Sequence, residues 1–539
     1  MNRRLLFQVA FVTLAIQGCS ASSQPVARMG VFDLLSQRIS GQTEISGNSD
    51  MRFRSLSVLV TVDIDGNVID AVSDNPDYKG DTRAALDAAR HWKFKPQSFE
   101  GKPIVAVGSI PINLLPKEIP PDRQVPWPSI GAQGFEITLE RSACFGSCPD
   151  YRVAISSDGI IRFSTQDQNF PGTAAEVHKL FSGQNVLLPG VHETKVDPQA
   201  VTRLLERFKA ANFMGMEPKY VTPVTDNPTF ALTLRIGGKA KRVVDYAGRE
   251  AGMPSVVTDL EKAVDDLAET NRWVRGNAQT VALLKAEDFD FRSKDAAALI
   301  QSAIELAWRP DERVNAAALI TAALAEGLDL NTPLNSSERG RSRKSTNLGS
   351  LITSFAINAG NQPLIEEMVR RGQVAKLSKQ ERDEAFRSGS GCSASIARML
   401  VAAGADPKAQ SENGNALHAV RESLGPCEGA SSDRRQELVE ALIELGVSLE
   451  ARDNLGWTPL MGCDDPAMAA ALLKAGANPN ARDQEGTSVV LSVDDDRVAL
   501  LLLRAGADPK AKNSDGTLRQ QAEKDHWPAT LAWLDAHKS

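Results

Sequence analysis

Six cysteines, at positions 19, 144, 148, 392, 427 and 463 of the 539-residue chain, are the residues whose spacing says most about chemistry. Cys144 and Cys148 stand three residues apart within Ser142-Ala-Cys-Phe-Gly-Ser-Cys-Pro-Asp-Tyr151. A thiol oxidoreductase wants two residues between its cysteines, and no neighbouring Lys, His or further Cys is placed to lower a thiol pKa. Two ligands are also too few for zinc, which usually takes four. The pair is therefore expected to close a structural disulfide, with redox work and metal binding as the alternatives. Cys392, Cys427 and Cys463 recur at spacings of 35 and 36. A Cys392–Cys427 bridge needs the intervening loop to bend, because disulfide α-carbons lie about 4.4–6.8 Å apart; three independent thiols are the other reading. No nucleophile, base and oxyanion donors converge anywhere in the sequence, so no catalytic residue, resident metal or cofactor is expected.

Other polar groups carry weaker signals. Asp464-Asp465 and Asp494-Asp495-Asp496 read as carboxylates at helix starts, where the dipole favours them, and lack the alternating oxygen ligands of a calcium loop. Arg339-Gly-Arg-Ser-Arg-Lys344 reads as a solvated loop, with an anionic partner as its alternative. His178 and His192 are expected in exposed loops, and His91 is expected to pack at a helix end beside Trp92.

The N-terminus sets the compartment. Two arginines, Arg3 and Arg4, precede a mostly apolar run from Leu5 to Ile16, too short for a spanning helix of about 20 residues and suited to a signal peptide. Ile16-Gln17-Gly18-Cys19 resembles the lipobox of bacterial lipoproteins, although Gln17 departs from the small or aliphatic residue usual there. The resemblance implies that Cys19 is acylated and anchors the mature chain, on the outer membrane given Ser20; cleavage after Ala21, leaving a soluble periplasmic protein, is the alternative. Lys plus Arg 61 against Asp plus Glu 68 gives a net charge of −7, which argues against a general nucleic-acid binder.

The length favours several domains. From about 30 to 118, the alternating Arg54–Asp65 strand, the Asp65-Gly66-Asn67 turn and Val68–Val72 predict a β-hairpin. Ala-rich helical spacing from Thr82 to Trp92 and a third strand from Val105 to Leu114 follow. With Trp92-Lys-Phe-Lys-Pro96 and Gly101-Lys-Pro103, this string resembles the C-terminal domain of TonB-type energy transducers. The resemblance implies a small α/β domain that docks on a partner by edge-strand pairing; the inner-membrane helix and Pro-rich spacer of those proteins are not found ahead of it.

Five prolines between Leu115 and Pro128 mark a linker, placed at 119–130. From 131 to 276 an α+β domain is expected: strands at Phe135–Leu139, Tyr151–Ile155 and Ile160–Phe163, and a helix from Asp197 to Phe213 begun by Asp197-Pro198. A hairpin at Phe230–Ile236 and Lys241–Tyr246 and a helix from Pro254 to Arg272 complete it. Its cysteine motif, with Asp226-Asn-Pro-Thr229 and Trp273-Val-Arg-Gly276, resembles a bacterial domain family of unknown function, DUF6438, which implies no activity.

Residues 277–539 repeat. Leu472-Leu-Lys-Ala-Gly-Ala-Asn-Pro-Asn-Ala-Arg-Asp483 is echoed at Leu502–Asn513 and Leu400–Ser411, with Gly372, Gly404, Gly446, Gly476 and Gly506 spaced by 32, 42, 30 and 30. With Gly456-Trp-Thr-Pro-Leu460 and Gly414-Asn-Ala-Leu-His418, this resembles ankyrin repeats. The resemblance implies an all-α solenoid of six or seven units. The 42-residue unit carries an insertion near Arg421–Ser432, and the 30-residue units are shortened between their helices. Thr458 and Pro459 are expected to start a helix, and Trp457, near a hairpin tip, is the candidate protein-binding residue. The whole reads as a multidomain α+β and all-α chain, a non-enzymatic envelope protein that binds a protein partner. An accessory to TonB-dependent transport and a thiol protein using Cys144 and Cys148 are the alternatives.

Overall fold

The computed structural model describes residues 26–29, 34–35, 37–46, 55–74, 82–99, 101–145, 148–165, 185–307, 309–334, 347–388, 393–421 and 432–537. The expectations for the signal segment with Cys19, for Cys392 and Cys427, for the basic run, for His178 and for most of the 421–432 insertion fall outside these residues. The architecture is mixed: two α/β modules precede a helical C-terminal region.

In the first module, β1 (Val26–Arg28), β2 (Glu44–Ser46), β3 (Ser55–Val62), β4 (Val68–Ser73) and β5 (Val105–Leu115) form one sheet with helix α1 (Arg83–Arg90) on it. Strand alternation makes β3 bury Leu56, Val58, Val60 and Val62 on the side that α1 covers with Ala85 and Ala89. β3 pairs antiparallel with both β4 and β5. The outer edge of β5 carries β1 along its first half and β2 along its last, both parallel. Trp92 is buried and donates its indole N–H to the Gln42 carbonyl at 2.8 Å; His91 stands at the helix end but is exposed, so the packing role expected for it is not seen.

The prolyl stretch read as a linker is bound to the second module. Ile119 N–H donates to the Gly252 carbonyl (2.8 Å), Asp122 N–H to the Gly215 carbonyl (2.7 Å), and Glu118 pairs with Arg249 at 2.6 Å. Prolines have no N–H to spend on a local helix, so the extended chain takes its partners from the neighbouring module.

That module is a seven-stranded sheet of β6 (Phe135–Arg141), β7 (Tyr151–Ser156), β8 (Ile160–Ser164), β9 (Val191–Lys195), β10 (Lys219–Val221), β11 (Phe230–Ile236) and β12 (Lys239–Tyr246), in the order β9-β8-β7-β6-β11-β12-β10. Helices α2 (Pro198–Ala210) and α3 (Ser255–Ala268) lie on the face carrying Phe135, Ile137 and Leu139. Asp197 caps α2 by accepting from Gln199 N–H, with Pro198 at its first position, as the sequence predicted. The opposite face carries ion pairs in water, Glu136–Arg235 (2.8 Å) and Glu140–Arg242 (2.6 Å). The helix expected from Pro254 to Arg272 is broken. It stops at Ala268, Glu269 turns left-handed at φ +50°, and α4 (Asn271–Val274) restarts it at a new angle that buries Trp273.

The C-terminal region shares a continuous core with this module, running from Phe135 to Leu534, whereas the first module has its own. Helices Gln362–Arg370, Ala394–Ala402, Ser432–Glu444, α5 (Pro466–Lys474) and α6 (Asp496–Arg504) are each followed by one of the five repeating glycines, whose φ values lie between +69° and +98°. A side chain with a Cβ is strained there, so glycine ends the helix. One expectation fails. Thr458-Pro459 starts no helix; Met461 N–H returns to the Thr458 carbonyl in a lone turn, and the next unit has only the 3₁₀ turn Val489–Leu491. A 30-residue unit thus loses its length from the first helix itself rather than from the segment between helices. α7 (Leu518–Lys524) and α8 (Pro528–Ala536) close the region. No helix among the described residues is long and apolar enough to cross a membrane.

Candidate functional site

Cross-strand register assembles a polar row at one end of the second sheet. Arg141 stands opposite Tyr151 on one side and Phe230 on the other, and Phe230 stands opposite Asp245. Directly paired residues share a face, so the row Tyr151–Arg141–Phe230–Asp245 lies on the helix-covered side. α3 runs over it. Its apolar stripe Val257, Leu260, Val264, Ala268 is interrupted by Glu261, and Asp265 follows one turn later.

Asp265 is the hub. It accepts from Tyr151 Oη (2.7 Å) and Thr270 Oγ1 (2.9 Å) on Oδ1 and from the Arg141 guanidinium on Oδ2. That guanidinium also lies 4.5 Å from the centre of the Phe230 ring. Burial works against its charge, yet Tyr151 and Asp265 outweigh it and raise the pKa. Burial, with the Asp265 charge second, pushes the Tyr151 phenol well above its ordinary value. Both bonds therefore persist across the physiological range.

Glu261 differs from its neighbours. It is 4% exposed, and its carboxyl takes no hydrogen bond among the described residues. Burial first, and the Asp245 carboxylate second, push its pKa up to about 8. Asp245 is raised too, by burial, although it accepts from Gly248 N–H at 2.6 Å. Of the nearby cations, Arg141 is committed to Asp265, and Arg249, which favours the Asp245 charge, is paired with Glu118, so the two acids cannot both ionise cheaply in a low-dielectric site. Glu261 therefore holds a proton at neutral pH.

The disulfide closes the same end. Cys144 and Cys148 are bonded, with α-carbons 5.4 Å apart, on the loop joining Arg141 to Tyr151. Ser142 fastens the loop to the next strand: its N–H donates to the Thr229 carbonyl and its Oγ accepts from Thr229 N–H, both at 2.9 Å. Phe145 projects from the loop at 89% exposure. Behind the row, Tyr151, Phe163, Trp273 and His192 form a column with centroids 5.3, 4.9 and 5.8 Å apart. His192 is thus a strand residue stacked on Trp273 rather than an exposed loop residue. Its Nε2–H donates to the Leu188 carbonyl at 3.0 Å, and burial lowers its pKa.

Residues 135–268 match the family model described as a domain of unknown function, DUF6438. The DUF6438 segment holds Arg141, Tyr151, Asp245, Glu261 and Asp265 as well as both bonded cysteines. No curated protein matches the chain.

Of the other sequence-predicted residues, Trp457 is half-buried, with its indole laid against Gly462, where a Cβ would fall 2.5 Å from the ring. The exposed apolar side chain at that hairpin tip is Leu455. Cys463 is buried and its thiol donates to the Asp465 carbonyl at 3.5 Å. Sequence reasoning overlooked Glu261 and Asp265, yet one signal was present: a glutamate at helical spacing between Leu260 and Val264. Chemically, the arrangement can store a proton and hold two loops in register. Among the described residues, no group of His, Cys, Asp and Glu is arranged to hold a metal ion.

Proposed function

We propose that the protein is a non-enzymatic component of the bacterial cell envelope that binds a protein partner through ankyrin-type repeats, with the TonB-like first module as a second docking unit. The observation that carries this reading is the lateral tying of the C-terminal hairpin tips. Asn454 N–H donates to the Glu412 carbonyl (2.7 Å), and Gln484 Nε2 donates to the Asn454 carbonyl (3.2 Å). Successive tips bonded in this way make a stiff, extended rim, the kind of surface on which stacked repeats recognise partners. Leu455, 56% exposed, stands on that rim, and we take it, rather than the packed Trp457 ring, as the first contact. On the first module, β1 and β2 cover the outer edge of β5, so a partner strand would add at β4, where Ile69 and Val72 are exposed.

Lipidation at Cys19, with location at the periplasmic face of the outer membrane, belongs to the same reading and rests on the sequence around Cys19. A photo-crosslinking residue at Leu455, introduced into the full chain in intact envelopes, should yield one discrete crosslinked product. The absence of any product at Leu455 and at neighbouring tip positions would sink the repeat-binding reading. Unchanged membrane fractionation of Cys19→Ser would remove the lipid anchor.

A further inference from the structure

The second module's sheet has one face under α2 and α3 and one face open, and strand register fixes which charged residues share the open one. Six cations stand there, Arg152, Arg162, Lys195, Lys219, Arg235 and Arg242, one from each strand except β6. Against them are three carboxylates, Glu136 and Glu140 from β6 and Glu193 from β9. Asp158, on the turn between β7 and β8, is close enough to Lys195 to interact with its charge. Even with Asp158 included the face is positive, in a chain whose net charge is −7.

The central acids are taken up by neighbouring arginines. Glu140 lies between Arg242 (2.6 Å) and Arg152 (3.7 Å), and Glu136 holds Arg235 at 2.8 Å. Arg162, Lys195 and Lys219 are exposed on the flanking strands β8, β9 and β10. Between the charges the floor is made of Thr138, Ala154, Ala231 and Thr233, while the exposed apolar side chains Ile160, Val191 and Val221 lie toward the two edges. A protein interface gathers apolar side chains at its centre and keeps charge out of it, and this face does the reverse. A charged bilayer asks for no fitted shape: the attraction acts over a Debye length of about 8 Å, and long arginine and lysine side chains even out the twist of a sheet.

We propose that the open face of the second module lies against an anionic lipid surface, with the phosphates of acidic headgroups such as phosphatidylglycerol as its ligands. Each net cation near such a surface strengthens binding about fivefold, so the few carried here orient a chain already at the membrane and do not hold it there alone. Face down, the sheet turns α2 and α3 away from the lipid. Only the presence of the chain at a membrane rests on the reading of Cys19; the attraction itself does not.

Lysine footprinting of the full chain on vesicles tests this. Lys195 and Lys219 should acetylate about threefold or more slowly on equal parts phosphatidylglycerol and phosphatidylcholine than on phosphatidylcholine alone. Lys262, its side chain 73% exposed on α3, should keep its rate. The difference should vanish in 1 M salt, where the Debye length falls to about 3 Å. Arg162→Glu should remove most of the protection, and Glu193→Gln, whose effect no folding defect could mimic, should deepen it. Equal rates on the two vesicles overturn the proposal, and so does protection that neither substitution changes. Protection that appears only when envelope proteins are added assigns the face to a protein partner and overturns it as well. Unchanged fractionation of Cys19→Ser bears on the anchor alone.

Discussion

The second module and the C-terminal helices both bury carboxylates, and they do so in opposite ways. In the helical region the acids sit at helix starts: Asp465 accepts from Ala467 and Met468 N–H, and Asp495 from Arg497 N–H. Their burial is answered by amides that would otherwise lack partners. Asp464, one residue outside its cap, is raised to about 6 by burial. In the second module Glu261 lies mid-helix, with no orphan amide within reach, opposite another acid. The helix starts themselves therefore account for the capping acids. Nothing in the packing of α3 requires a glutamate where its neighbours on the stripe are Leu260 and Val264, and that makes the Glu261–Asp245–Arg141–Asp265 group the candidate for function.

The largest effect should come from the hub. Asp265→Ala removes three bonds and leaves the partly buried Arg141 guanidinium, a quarter of whose side chain is exposed, without its carboxylate, which should cost about 2–4 kcal/mol, less than the roughly 3–5 of a fully buried pair. Denaturant unfolding of the full chain, followed through the Trp273 environment, reads it. A loss below about 1 kcal/mol would mean that the group relaxes into water and is no rigid site.

Glu261→Gln comes next, and its sign depends on pH. The folded pKa of about 8 lies above the ordinary 4.5. The folded state thus binds more protons than the unfolded one between those values, and stability falls as pH rises through them. The neutral amide should change little near pH 4 and stabilise by a few kcal/mol at pH 9, flattening the pH dependence. An unchanged profile would show that Glu261 ionises freely in the folded protein. Asp465→Ala, the contrasting case, should cost about 1 kcal/mol, the usual value of an N-cap.

What could be read in the sequence follows the same division. Period-2 strands and the Asp197-Pro198 cap were legible because each signal is complete within a few residues, and the glycine series because the same short segment recurs along the chain. The Cys144–Cys148 bond was legible because the spacing left few other uses. The polar row was not, because Arg141, Phe230 and Asp245 become neighbours only through the order β6-β11-β12, which joins segments about 100 residues apart in the chain. Likewise the break at Glu269 carried no glycine or proline to announce it. It is imposed by Trp273 joining the aromatic column and by Thr270 bonding back to Asp265. The missing first helices of the 30-residue units were concealed by Thr458-Pro459, a good helix start that the shortened unit has no room to extend.

Those shortened units also yield the smallest and most local prediction. In the longer unit His418, fully buried, accepts from Asn415 N–H at Nδ1 (3.2 Å) and donates from Nε2 to the Trp457 carbonyl in the next unit (3.0 Å). Met461 occupies the corresponding place one unit on, three residues after Thr458 as His418 is after Asn415. A thioether cannot donate, and among the described residues Thr458 Oγ1 is left buried without a hydrogen-bond partner, as is Ser488 Oγ a further 30 residues along. Thr458 N–H already meets the Met461 sulfur at 3.4 Å; Met461→His replaces that weak acceptor with a stronger one and adds a donor facing the Thr487 carbonyl, the position equivalent to that of Trp457. Each recovered bond contributes about 0.5–1.5 kcal/mol, offset by the cost of burying the imidazole, so a net gain of about 0.5–1 kcal/mol is expected. A thermal melt at pH 8, where the ring is neutral, measures it. Thr458→Val, which removes the hydroxyl at similar volume but keeps the main-chain N–H, should lower the gain without abolishing it, since the bond to the Thr487 carbonyl remains; a gain unchanged there would show that the hydroxyl takes no part.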